Sequence, residues 1–223
     1  MRLLFALLAV LGLCACDQVY SRKPFVPEAR EQGDPELRSG FWIADGYKDD
    51  TCPFSPRQLA FRWPDCAAAA MYQRGQWWMV TKDRMILAQT VRLMPNATPG
   101  KILDEPFLAQ SHWTNEVFKD ARFSAPRDAD NPFFGWVYAQ VTPTKLDAAD
   151  RIVEARVVRP VCGPPQTATL QDKPVLTRDR FKSFPGLTVV GTACVAPDLE
   201  TLMRVLKSSD AGATTIHWVR DPS

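Results

Sequence analysis

Short runs of apolar, β-branched and aromatic residues, each bounded by turn residues, recur along most of the chain. This pattern is typical of strands. The turn residues Gln73, Arg74 and Gly75 lie between two of these runs and predict a hairpin in which Gly75 takes a positive φ. The predicted strands are Phe41–Ala44, Gln58–Trp63, Gln76–Thr81, Arg84–Leu93, Phe133–Val141, Arg151–Val161, Thr188–Val195 and Thr214–Arg220.

One segment has helical rather than strand periodicity. Pro197 suits a first helical turn, and the acidic side chains of Asp198 and Glu200 complement the positive end of a helix. The apolar positions at helical spacing are Leu199, Leu202, Met203 and Leu206. With 19 prolines against 11 glycines, the chain favours many short elements. The predicted fold is mainly β: an antiparallel sheet, sandwich or barrel-like, with one C-terminal helix.

The first fifteen residues have the pattern of an export signal. Arg2 provides the positive start, and Leu3–Leu13 is an apolar run too short to span a bilayer permanently. The order Leu13, Cys14, Ala15, Cys16 resembles the lipobox of bacterial lipoproteins, in which a small residue precedes the acceptor Cys. Cys14 is the rival acceptor, but bulky Leu13 precedes it.

The lipoprotein resemblance implies that residues 1–15 are removed and that Cys16 becomes an acylated N-terminus, held on a membrane through palmitate-type chains. It also implies a periplasm-facing position in the cell envelope. Asp17 resembles the inner-membrane retention signal of enteric bacteria and favours that membrane over the outer one.

Polar residues and prolines predominate from residue 16 to 39, which predicts a flexible tether. A folded domain is expected over residues 40–223, with a possible boundary between two lobes near 161–185, where prolines accumulate. Without residues 1–15, which carry one Arg and no acid, the formal charge falls from +2 to +1. A field so weak does not predict a nucleic-acid partner.

Four cysteines remain outside the leader and the acceptor position, and export would place them in an oxidising compartment. Three pairings are possible. We favour the local scheme because it ties one loop at each end of the domain. It pairs Cys52 with Cys66 and Cys162 with Cys194. The chain lacks a CxxC motif and has two histidines, so a metal site or thiol redox pair is disfavoured and no cofactor is expected.

Catalytic candidates are few. Ser111 and His112 are adjacent, so on a strand their side chains would point to opposite faces. His112 and His217 are each interpreted as a partly buried or surface imidazole rather than a catalyst. The acidic group Asp45, Asp49 and Asp50 is interpreted as a solvated turn, and the basic row Arg178, Arg180 and Lys182 as a soluble strand edge. We therefore predict a protein that is not an enzyme.

Seven tryptophans are expected mostly to fill the core, although aromatic side chains also line concave binding sites. Gly40-Phe41-Trp42 resembles the Gly-x-Trp of lipocalins and other calycins. The resemblance implies that Trp42 closes one end of a barrel and that a late arginine, here Arg220, stacks on it. The other tryptophans are Trp63, Trp77, Trp78, Trp113, Trp136 and Trp218.

Two further features shape the functional hypothesis. The stretches Trp63-Pro64-Asp65-Cys66-Ala67, Val161-Cys162-Gly163-Pro164-Pro165 and Trp218-Val219-Arg220-Asp221 resemble uncharacterised envelope lipoproteins, a resemblance that implies no activity. The hypothesis is a lipid-anchored envelope protein with a binding or structural role toward other envelope components. The alternatives are a lipocalin-like carrier of an apolar ligand and an inhibitor of a peptidoglycan-cleaving enzyme.

Overall fold

The fold is described by a computed structural model that covers residues 18–26, 36–44, 55–63, 69–80, 85–95, 102–113, 135–163, 183–190, 193–209 and 213–222. These ranges hold eleven strands, one α-helix and one 3-10 turn. The strands are β1 (Val19–Ser21), β2 (Gly40–Ala44), β3 (Ala70–Gln73), β4 (Gln76–Val80), β5 (Met85–Pro95), β6 (Phe107–Trp113), β7 (Trp136–Leu146), β8 (Ile152–Val158), β9 (Thr188–Val190), β10 (Ala193–Val195) and β11 (Thr214–Arg220). The helix α1 is Leu199–Ser208, and the 3-10 turn is Ala60–Arg62.

Eight strands pair side by side in a ring. β2 to β8 follow each other as antiparallel neighbours in chain order, and β6 pairs with β7 as part of this series. β11 then pairs with both β8 and β2. Each strand of the ring has two neighbours, which leaves few unpaired edges. The prediction of a mainly β fold with one C-terminal helix is confirmed, and the pairing order gives it a barrel-like form.

Three short strands extend the sheet beyond the ring. β1 pairs antiparallel with β7, and β10 pairs parallel with β1. β9 pairs antiparallel with β10. The parallel β1–β10 pair departs from the predicted antiparallel sheet. It joins two segments that are far apart in sequence, which a reading of local patterns does not anticipate.

The inner side of the ring is apolar. Strand alternation sends Trp42 and Ala44 to this inner cluster, whereas Phe41 and Ile43, at the alternate positions, pack in a cluster on the outer side. The inner cluster draws residues from strands all around the ring, which only its interior can bring together. Its buried members are Leu37, Trp42, Ala44, Ala70, Tyr72, Trp77, Ala109, Val141, Ile152, Ala155 and Ile216.

Two layers cover the outer side. α1 buries Leu202, Val205 and Leu206 against a cluster that includes Leu108 of β6 and Tyr138 of β7. The 3-10 turn covers β2 and β3, where Trp63 meets Phe41 edge-on at 5.5 Å between ring centroids.

The predicted helix is confirmed, with a shifted start. Asp198 is its N-cap, and the side chain accepts a hydrogen bond from the Thr201 N–H at 2.7 Å. Pro197 therefore precedes the cap instead of occupying the first turn. The hairpin between β3 and β4 is also confirmed. Both Arg74 and Gly75 have positive φ, 49° and 79°, as a two-residue turn matched to strand twist requires.

Three predicted elements differ in the structure. Gln58–Trp63 is not a strand, because the Arg62 and Trp63 N–H groups bond locally to the carbonyls of Leu59 and Ala60. Thr188–Val195 divides into β9 and β10, which run in opposite directions. The strand predicted to end at Val141 continues to Leu146 in β7, and Pro143 lies there at a register shift, where a residue without an N–H is tolerated.

The predicted tether is partly folded. Residues 18–26 and 36–39 pack on the domain, so the folded part begins well before Gly40. Backbone pairing supplies the stabilisation: β1 joins the sheet, and Ile152 exchanges hydrogen bonds with the segment through Glu36 and Arg38 at 2.8 and 2.9 Å. Most of the proposed lobe boundary, residues 164–182, lies outside the described residues.

Candidate functional site

The N-terminal segment is held on the ring mainly by hydrogen bonds. Tyr20 and Ser21 pair with Val137 and Trp136 of β7. The carbonyl of Tyr20 accepts from the Ala196 N–H at 2.8 Å, just after β10. Val19, Tyr20 and Ser21 are all at most 3% exposed. This first strand is therefore a core element of the domain.

A buried tyrosine organises the chain that follows β1. The Tyr138 hydroxyl lies 2.7 Å from Ser21 Oγ and accepts from the Phe25 N–H at 3.2 Å. Ser21 Oγ also donates to the carbonyl of Lys23. Burial raises the pKa of Tyr138 above its ordinary value, although its hydrogen bonds oppose the rise. Its hydroxyl therefore stays protonated over the physiological range and can serve as donor and acceptor.

Gln110 fixes the end of this segment. Its side-chain oxygen accepts from the N–H groups of Phe25 and Val26 at 2.9 and 3.0 Å, and its Nε2 donates to the Val26 carbonyl at 3.2 Å. Gln110 is 2% exposed. One buried amide thus satisfies three backbone groups that have left the sheet, which is how buried polar atoms are normally accommodated.

Two cysteines lie beside the start of β1. Cys162 and Cys194 are at disulfide distance, with 5.6 Å between their Cα atoms, and this is the pair that the local scheme predicts. Both are fully buried. The carbonyl of Gln18 accepts from the Cys194 N–H at 2.9 Å and lies 3.5 Å from Cys162 Sγ. Covalent and hydrogen-bonded constraints therefore converge where the described chain begins.

The other cysteines for which a role is predicted lie outside the described residues. They are Cys14, Cys16, Cys52 and Cys66. Acylation of Cys16 and the Cys52–Cys66 pair stay predictions. The acidic group Asp45, Asp49 and Asp50 and the basic row Arg178, Arg180 and Lys182 also lie outside the described ranges.

The segment before β2 closes one end of the ring. Trp42 and Trp218 donate their indole N–H groups to the carbonyls of Arg38 and Ser39, each at 3.0 Å. The guanidinium of Arg38 lies over the Trp218 ring, 3.6 Å from its centroid, a favourable cation–π geometry. Arg38 also pairs with Asp221 at 3.2 Å and Asp147 at 3.7 Å.

The arginine contact implied by the lipocalin resemblance is different in the structure. Arg220 lies over Phe41 and Trp63, 5.1 and 5.5 Å from their ring centroids, on the outer side of the ring. Trp42 points to the inner cluster, so Arg220 does not stack on it. Gly40 is explained by its close approach to β11: its φ is +138°, and a Cβ there would collide with the Arg220 carbonyl and the Trp218 indole nitrogen.

His217 belongs to a polar group on the outer face. Its Nδ1 lies 3.0 Å from Glu154 Oε2, and the other Glu154 oxygen accepts from Thr144 Oγ1 at 2.7 Å. The Thr144 hydrogen bond and the neighbouring His217 lower the pKa of Glu154 against the opposing effect of desolvation. The hydroxyl is bonded to the carboxylate and not to the imidazole, so this group is not a hydroxyl–imidazole catalytic pair.

His112 has a packing role. Its ring is 4.9 Å from the ring of Trp136, the residue opposite it on β7. Ser111 pairs with Val137 and is 8% exposed, so the two neighbours take alternate positions on the strand as predicted. Within the described part of the chain, no three His, Cys, Asp or Glu side chains are grouped as metal ligands.

Sequence reasoning missed Tyr138, Gln110 and Arg38. Their partners are 4 to 183 residues away in sequence, and several are backbone atoms, which leave no motif. A polar residue at a core-facing strand position was the available signal for Gln110.

No helix among the described residues is long and apolar enough to cross a membrane. Comparison of the chain with protein-family models, curated proteins and solved structures found no match.

Proposed function

We propose that this chain is a lipid-anchored protein of the cell envelope, attached through acylated Cys16 and facing the periplasm. The inner membrane is favoured by Asp17. The domain binds or supports other envelope components and is not an enzyme. More than one buried acyl chain makes such attachment stable, because each buried CH₂ contributes about 0.8 kcal/mol.

The observation that carries the proposal is the buried cysteine pair. Cys162 and Cys194 lie at disulfide distance, and protein disulfides persist chiefly in oxidising compartments outside the cytosol. The leader pattern of residues 1–15 provides the route to such a compartment. Two independent features, one at the N-terminus and one within the fold, thus support export.

The non-enzymatic part of the proposal is supported by the polar groups of the fold. Glu154 binds Thr144 and His217 within the sheet surface, and Gln110 and Tyr138 bind backbone atoms of residues 23–26. Their hydrogen bonds hold strands and segments together. These polar groups therefore have structural roles.

A cysteine substitution tests the anchor. We expect Cys16→Ser to move the protein from the membrane fraction to the soluble periplasmic fraction. The mature wild type should have an intact mass that includes acyl chains on a chain beginning at residue 16. Cys14→Ser is the matched control, and it should leave both the mass and the fractionation unchanged.

Two outcomes would overturn the proposal. One is a wild-type mass that includes residues 1–15 or a bare thiol at Cys16. The other is acylation lost in Cys14→Ser and retained in Cys16→Ser, which would place the lipid on the rival cysteine.

The lipocalin-like carrier is the second candidate, and the ring of eight antiparallel strands favours it. Against it stands the packing of the inner cluster, where Trp77 contacts both Trp42 and Tyr72 at 6.1 and 5.2 Å between ring centroids. Native mass spectrometry of protein purified from its own envelope distinguishes the two. A carrier gives an apolar adduct that denaturation releases, and a ligand-free spectrum rules the carrier out.

A further inference from the structure

We infer that the side of the ring carrying β1, β10 and α1 lies against the phospholipid surface, and that the side carrying the 3-10 turn faces away from it. The inference rests on the proposed acylation of Cys16. It adds an orientation: the domain is held in one pose instead of swinging on a long tether.

The chain between the lipid and the folded domain is short. Gln18 is two residues after Cys16, a span of at most about 7 Å. Gln18 itself is fixed, because its carbonyl bonds to the Cys194 N–H and it forms an antiparallel bridge with Val161. The acyl chains would therefore enter the membrane within a few ångströms of a rigid part of the domain.

The attachment lies on one side of the ring. β1 pairs with β7, and β3 is four strands away from β7 in either direction around the ring. The 3-10 turn packs over β2 and β3, where Trp63 joins Phe41 and Met71 in one cluster. The attachment and the 3-10 turn are thus on opposite sides of the molecule.

The separation between these sides is large compared with the reach of the chain. Eight strands spaced by about 4.8 Å form a ring on the order of 12 Å across, and each packed outer layer adds roughly 10 Å. Residues 55–63 are therefore on the order of 30 Å from the attachment. A two-residue connection cannot let both sides contact lipid equally.

α1 provides a lipid-facing reporter. The Val161 N–H donates to Ser209 Oγ at 3.0 Å, so the end of α1 lies next to the residue that bridges to Gln18. Arg204 and Lys207 are exposed on this helix. Cationic side chains there suit the anionic lipids of a membrane surface.

Photo-crosslinking in native membranes tests the orientation. A benzoylphenylalanine side chain is placed in the full-length, acylated protein at Lys207 in one variant and at Arg57, which is exposed on the opposite side, in the other. We expect several-fold more crosslinking to clickable phospholipid from position 207. Equal crosslinking from both positions, or an excess from position 57, would overturn the inference.

A longer connection provides the control. Inserting about ten Gly and Ser residues between Asp17 and Gln18 gives a reach of roughly 17 Å, so the difference between the two positions should shrink severalfold while the protein stays in the membrane fraction. An undiminished difference would contradict the short-connection argument. Absence of the protein without the Gly and Ser insertion from the membrane fraction would instead overturn the anchoring. If that protein stays in the membrane fraction but crosslinks equally from both positions, only the orientation is overturned.

Discussion

Trp42 shows how one side chain links the core to the end of the ring. It is 1% exposed, it packs with Trp77, and its N–H bonds to the carbonyl of Arg38. The apolar surface and the polar tip of tryptophan are both used, as is typical when this residue is buried. The sequence predicted a tryptophan in the core, but it did not predict the hydrogen bond from its indole N–H to the Arg38 carbonyl.

We expect Trp42→Phe to lower the free energy of unfolding by about 1–3 kcal/mol, because it leaves a void and a carbonyl without its donor. Urea unfolding followed by circular dichroism measures the change. Met85→Ala is the control: Met85 is 48% exposed, and a change of no more than about 0.5 kcal/mol is expected. Equal stability of wild type and Trp42→Phe would contradict the assigned role.

Asp147 makes stability depend on pH. Desolvation opposes its ionisation, but hydrogen bonds from the Arg151 side chain and backbone and from the Ala149 N–H outweigh it, so the pKa of Asp147 falls below its ordinary value. The folded state favours the carboxylate. The ionised Asp147 side chain therefore contributes its full stabilisation of the folded state above the pKa that Asp147 has in the unfolded chain, about 4. This contribution is lost as the pH falls through the lower pKa that Asp147 has in the folded state.

Asp147→Asn should therefore be less stable than wild type at pH 7, and the difference should narrow as the pH falls below about 4. Thermal unfolding of both proteins across this range gives the measurement. Asp150→Asn, at an exposed position in the same turn, is the control, and its stability should change with pH as that of the wild type does. A difference that is constant with pH would show that the carboxylate charge is not responsible.

At the scale of elements, the segment from β1 to Val26 depends on tertiary hydrogen bonds. The segment includes only a three-residue strand, and the residues after it, Arg22, Lys23 and Pro24, do not continue a strand pattern. Its backbone is satisfied by β7, β10 and Gln110. Sequence patterns alone therefore indicated a tether, whereas the assembled sheet provides a place for the strand.

Gln110→Ala should release the end of this segment. It leaves the Val26 N–H without its acceptor, at a cost of about 1–3 kcal/mol if this group remains buried, and it leaves the Phe25 N–H with only its longer bond to the Tyr138 hydroxyl. Hydrogen exchange of these two amides should accelerate, while the β2–β3 amides remain protected. Gln58→Ala, at an exposed position, is the control and should leave the exchange of the Phe25 and Val26 amides unchanged. Unchanged exchange of these two amides in Gln110→Ala would disprove the proposed role of the Gln110 side chain.

At the scale of the whole molecule, the last strand completes the ring. β11 lies between β2 and β8, so residues near both ends of the domain become neighbours. The Cys162–Cys194 pair acts at a similar scale, because it ties the chain after β8 to β10 under α1. Long-range pairing and this one cross-link hold the outer layer to the ring.

Replacing both cysteines, Cys162→Ala with Cys194→Ala, should lower the free energy of unfolding by about 3–4 kcal/mol, since the bridge closes a loop of 32 residues. Denaturant unfolding under non-reducing conditions measures this. The wild type treated with a reductant should approach the variant. A wild type whose stability does not respond to reduction would contradict the cross-link.

The sequence alone predicted the local features of this protein: the strand that contains Trp42, the Arg74–Gly75 hairpin and the helix that Asp198 caps. These follow from contacts within a few residues, which leave a periodic pattern. The ring, the docking of β1 and the position of Arg38 over Trp218 were decided by tertiary structure. Their hydrogen bonds and ring contacts join residues far apart in sequence, and many use backbone atoms that every residue possesses, so no local pattern encodes them.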